Sequence, residues 1–111
     1  VRLVAARRAP PALLVRLIAD ADPSVRRLVA RRIDTNHLPA MIADAEPLVR
    51  IEVANRLPPA RLVLMLADPD FRVRHTLAER LPPGDVGRLA DDEDELVREL
   101  ARRRVAAAEE N

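Results

Sequence analysis

The chain has 111 residues, enough for one domain with a modest core, and its 49% apolar and 33% charged residues describe a globular protein, not a disordered one. Nineteen basic against eighteen acidic side chains leave a net charge of +1, a balance that points neither to nucleic acid nor to an anionic membrane. There is no cysteine, which excludes disulfides, thiolate metal sites and cysteine-ligated iron–sulfur clusters within these residues.

Phe71 is the sole aromatic residue, so Leu, Val, Ile and Ala must build the core. Ten prolines and two glycines suit many short helices with stiff breaks between them. No apolar run approaches the length of a membrane span and no signal peptide is visible, so a cytoplasmic, non-membrane location is expected.

From the first residue onward the chain repeats with a step of 24 and no insertion or deletion up to about residue 105. The units run about 1–24, 25–48, 49–72 and 73–96, with a partial fifth at 97–111, and together they are taken as a single repeat domain. Val1, Val25, Val49, Val73 and Val97 share one column; Arg2, Arg26, Arg50, Arg74 and Arg98 share the next. Ala6, Ala30, Ala54 and Ala78 form a third, Arg8, Arg32, Arg56, Arg80 and Arg104 a fourth, and Asp20, Asp44, Asp68 and Asp92 a fifth.

Each unit opens with a helix of nine to eleven residues, for which 23–33 in the second unit is the pattern. Asp22 or Asp20 caps its start, Pro23 fits the first turn and Arg32 suits the negative end. A proline pair follows (Pro10-Pro11, Pro58-Pro59, Pro82-Pro83), or Asp34-Thr35 in its place. Then comes a short apolar segment, Leu14, Leu17 and Ile18 in the first unit, with room for a 3₁₀ turn or a two-turn helix. Neither part buries its apolar face alone, so neighbouring units must stack into an all-α solenoid. In the fifth unit Arg102 stands in the alanine column and Ala101 in that of Val29 and Leu77, as suits a terminal repeat.

The columns D-P-x-x-VR-x-x-[VL]-A-x-R-[LI]-P-P-x-x-L-x-x-[LM]-[LI]-A-D resemble the leucine-rich repeat variant (LRV) family over residues 1–105. That resemblance implies α-helices alternating with short 3₁₀ helices in a right-handed superhelix. The D-x-D-P-x-x-VR stretch is also similar to the second helix of HEAT repeats. Some LRV proteins carry a cysteine-rich iron–sulfur module before the repeats; nothing here matches it.

Arg26 falls on the apolar face of its helix, and so does its column. Six residues before each such arginine stands an aspartate: Asp20 with Arg26, Asp44 with Arg50, Asp68 with Arg74, Asp92 with Arg98. HEAT-like repeats resemble this, and the resemblance implies a ladder between stacked units. The physical reason is that each seam exposes turn and helix-end groups that need hydrogen bonds, which a five-donor guanidinium can supply.

No chemistry-bearing motif is found. His37 and His75 lie in different columns, no glycine-rich phosphate loop is present, and the acidic run 91–95 lacks the EF-hand pattern. No cofactor, no metal and no enzymatic activity are expected. At the third unit and the residue before it, Leu48 stands where Ser24 and Arg72 stand, Ile51 where Arg27, His75 and Glu99 stand, and Leu64 where Arg16, Ala40 and Arg88 stand; with Val63 they form a candidate protein-binding patch. The expected function is a non-enzymatic scaffold for protein–protein interaction, with self-association a further use of the same patch. The alternatives are nucleic-acid or polyanion binding through exposed arginines, which the composition does not favour, and the repeat segment of a larger iron–sulfur protein.

Overall fold

The computed structural model describes residues 2–110; Val1 and the Arg2 side chain, the first members of their columns, lie outside the described residues. The described residues are helical, with no strand among them, and fall into two compact units, residues 1–57 and 58–111. The first unit holds α1 (Arg2–Arg8), α2 (Pro11–Leu17), α3 (Pro23–Arg32), a 3₁₀ segment Thr35–Met41 and α4 (Pro47–Arg56). The second holds a 3₁₀ segment Pro59–Met65, α5 (Phe71–Arg80), α6 (Pro83–Val86), a 3₁₀ turn Gly87–Leu89 and α7 (Glu95–Glu109).

Local chemistry sets the boundaries. The Asp22 side chain accepts from the Ser24 N–H at 2.8 Å, and Pro23 takes the first turn, where its missing N–H costs nothing. Asp70 caps α5 and Asp94 caps α7 in the same way. One step earlier, the column aspartate folds the turn: Asp20, Asp44, Asp68 and Asp92 each accept from the N–H two residues on, at 2.8 to 2.9 Å. The helices stop at Leu57 and Leu81 because the following proline forces an extended backbone. Ile33 takes the same conformation ahead of Asp34, whose side chain caps the next segment through the Asn36 N–H.

The second segments are not uniform. Pro11–Leu17 is α-helical, Thr35–Met41 and Pro59–Met65 are 3₁₀, and the fourth switches from α to 3₁₀ at Gly87. Pro39 sits inside the second segment and has no N–H to give to an α ladder. Gly87, a poor helix former, marks the switch in the fourth.

In the first unit α1, α3 and α4 pack side by side, α2 packs against α1 and α3, and Thr35–Met41 packs against α4. In the second, Pro59–Met65 packs on α5, α5 on α7, and both α6 and Gly87–Leu89 on α7. The buried residues repeat with the columns: Val25, Val29, Ala30 and Ile33; Val49, Val53, Ala54 and Leu57; Val73, Leu77, Ala78 and Leu81. Leu38, Met41, Leu62, Met65, Val86 and Leu89 complete the core from the short segments. The alanine column has to be small because helices pack side by side there. In the fifth repeat Ala101 is buried, while Arg102 is exposed and donates to the Ala90 carbonyl at 2.7 Å.

Candidate functional site

The arginines on the apolar face are anchored at both ends. Arg26 donates from Nη1 to the Asp20 backbone carbonyl at 2.7 Å, six residues back. Its Nε and Nη2 grip the Asp44 carboxylate, eighteen residues ahead, at 2.9 and 3.3 Å. Arg74 does the same with the Asp68 carbonyl at 2.7 Å and the Asp92 carboxylate at 2.8 and 3.3 Å. In both, the six-residue spacing reaches a backbone carbonyl, and the carboxylate is that of the column aspartate eighteen residues ahead, in the turn before the next long helix. Arg50 and Arg98 make the same backbone bond, to the carbonyls of Asp44 and Asp92 at 2.7 and 2.9 Å. The Arg50 and Arg74 residues are buried, and the hydrogen bond that Arg74 donates to Asp92 raises its pKa above the ordinary guanidinium value. Arg26 is raised likewise by its bond to Asp44. Both stay charged at every working pH.

A second arginine column stitches the same seams by another route. Arg32 donates to the carbonyls of Ala6 and Ala9, Arg56 to that of Ala30 at 2.9 Å, and Arg104 to those of Ala78 and Leu81 at 3.0 and 2.6 Å. Sequence reasoning placed these arginines at their own helix ends. The structure shows them reaching the last carbonyls of the preceding repeat's helix, a separation of 26 or 23 residues that no local pattern reveals. Glu52 was also missed: its Oε2 accepts from Arg27 Nε at 3.0 Å and Arg31 Nε at 2.7 Å.

The candidate apolar patch is distributed over both units. In the first, Leu48 and Ile51 lie one turn apart on α4, Leu48 exposed and Ile51 half-buried. In the second, Leu64 is 59% exposed and Val63 half-buried on the 3₁₀ segment. Phe71, at the first position of α5, is also exposed, a residue that sequence reasoning gave no role.

His37 and His75 fall in different units; His75 Nδ1 lies 3.0 Å from Glu79 Oε1 on the same helix. Among the described residues no group of three or more His, Asp or Glu side chains is placed to hold a metal ion. No helix among them is long and apolar enough to cross a membrane. Within the acidic run, Asp92 belongs to the ladder and Asp94 caps α7, while Asp91 and Glu93 are almost fully exposed.

Residues 47–70 and 71–94 each match the family model for the leucine rich repeat variant. A solved structure described as a leucine-rich repeat variant with a novel repetitive protein structural motif is similar over 93% of this chain, at 44% sequence identity and a TM-score of 0.88. The chain spans 44% of that structure's length. No curated protein matches it.

Proposed function

Because the chain belongs to the leucine-rich repeat variant family, we propose that it is a non-catalytic scaffold that binds a protein partner through Leu48, Ile51, Val63 and Leu64. The observation that carries this reading is the exposure of Leu48 and Leu64 in columns that do not build the core. A column that packs the stack keeps its residue type, as the valine and alanine columns do. The column of Ile51 holds Leu3, Arg27, His75 and Glu99 elsewhere, and that of Leu64 holds Arg16, Ala40 and Arg88, so neither keeps one residue type. Large apolar side chains at exposed, non-core positions favour a partner surface.

The test compares the wild type with Ile51→Lys/Leu64→Lys. Proteins cross-linked to the wild type in extracts of the source cells should be lost from the variant, with far-UV circular dichroism and melting temperature unchanged. Equal capture by both proteins would refute the reading. Loss of helicity would show instead that the two positions belong to the core.

A further inference from the structure

Charge is divided unevenly along the chain. Residues 1–57 carry ten arginines and six carboxylates, whereas residues 58–111 carry nine and twelve. In the first unit a groove between α1 and α3 is lined by Leu3, Arg7, Ser24, Arg27, Leu28 and Arg31. Glu52 holds Arg27 and Arg31 by their inner Nε atoms, and its side chain is 12% exposed. The outer nitrogens of both guanidinium groups have no acceptor among the described residues, and neither has Arg7, which is exposed on α1. Three cations thus face one carboxylate over an apolar floor of Leu3 and Leu28.

The second unit carries the complement. Glu95 and Glu99 are exposed on α7 and have no hydrogen-bond or ion-pair partner among the described residues. They stand one helical turn apart, about 6 Å, as Arg27 and Arg31 do on α3. Leu96 lies beside them, 60% exposed. On that helix Arg98 is bonded to the Asp92 carbonyl and Arg102 to the Ala90 carbonyl, and Arg103, one turn beyond Glu99, marks the limit of the acidic edge.

We propose that a second copy of this chain docks the Glu95–Glu99 edge of its α7 into the arginine groove of the first. Each glutamate meets a guanidinium, and Leu96 covers Leu3 and Leu28. The contact is heterologous, joining the first unit of one copy to the second unit of another. It uses none of the residues proposed for the partner surface, so the two readings stand or fall separately. Exposed ion pairs are weak and salt-screened, so the association should be weak and lost at high ionic strength.

Sedimentation equilibrium on the purified chain tests this. In about 20 mM NaCl the mean mass should rise with protein concentration, and in about 500 mM NaCl it should fall to that of the monomer. Arg7→Glu/Arg31→Glu and, separately, Glu95→Arg/Glu99→Arg should each weaken association at least tenfold, and mixing the two variants should restore it, with the two chains alternating in equal numbers. Arg7→Glu alone, which leaves the Glu52 contacts untouched, should show a smaller loss; circular dichroism confirms that each variant is folded. A wild type that stays monomeric in low salt overturns the proposal. So does association indifferent to both charge reversals, or a mixture that regains nothing. Groove arginines that bind an oligonucleotide while the chain remains monomeric also overturn it.

Discussion

Replacing Arg74 by methionine isolates what one rung of the ladder contributes. The change removes the cation but keeps most of the aliphatic stem that packs at the seam. It leaves the Asp92 carboxylate, 6% exposed, with only the Asp94 N–H at 2.9 Å, and it takes the Nη1 donor from the Asp68 carbonyl. Breaking a buried pair from one side costs about 3–5 kcal/mol. Here both partners lie close enough to the surface for water to reach the stranded carboxylate, so about 3 kcal/mol is expected. At about 4 °C per kcal/mol for a chain of this size, the melting temperature should fall by roughly 12 °C. The double variant Arg74→Met/Asp92→Leu removes both charges and should recover most of that loss, less about 1 kcal/mol for the Asp94 N–H left without its acceptor. Arg31→Met breaks a half-exposed pair with Glu52 and should cost no more than about 1 kcal/mol. Thermal melts followed at 222 nm compare all three. A single variant that melts within about 3 °C of the wild type, or a double variant no better than the single, would refute the argument.

Arg104→Ala removes two donors from the carbonyls of Ala78 and Leu81 and should destabilise by about 1–2 kcal/mol, measured by urea unfolding at pH 7. Gly84 lies in α6 with no positive φ, and a Cβ there meets nothing within 4 Å. Gly84→Ala should therefore stabilise by about 0.4–1 kcal/mol, and a lower urea midpoint would contradict that.

Much of the architecture is legible because its determinants are local. The cap Asp22, the turn-forming Asp20 and the prolines act on N–H groups or backbone angles within two residues, so their spacing in the sequence is also their spacing in space. The seams are legible only as columns. A strict period of 24 places an aspartate six residues before Arg26, Arg50 and Arg74 and another eighteen residues after each, and covalent proximity favours the shorter spacing. The structure shows that the shorter spacing reaches a carbonyl and the longer one the carboxylate. Glu52 is hidden for another reason: its column holds Val4, Leu28, Thr76 and Leu100 in the other repeats, so no recurrence marks its contacts with Arg27 and Arg31. The unusual columns of Leu48 and Leu64 are visible in the sequence, but their exposure depends on which face of each element packs.

The two arginine columns explain why the outward columns are open to change. All nineteen basic residues are arginine, and in the two seam columns the chemistry requires that choice. Arg26 spans a carbonyl and both oxygens of a carboxylate with three nitrogens in one plane, which the single nitrogen of lysine does not do. No buried side-chain nitrogen or oxygen among the described residues lacks a hydrogen-bond partner. With turn, helix end and carboxylate satisfied by two columns, the remaining surface positions are freer to vary, and contacts such as Arg27 and Arg31 with Glu52 occur in one repeat without recurring in the others. The same helical site can then present Arg27, Ile51, His75 or Glu99 in successive repeats without repacking the core. The proposed partner surface is thus separable from folding: it lies in columns that vary, on a frame fixed by those that do not.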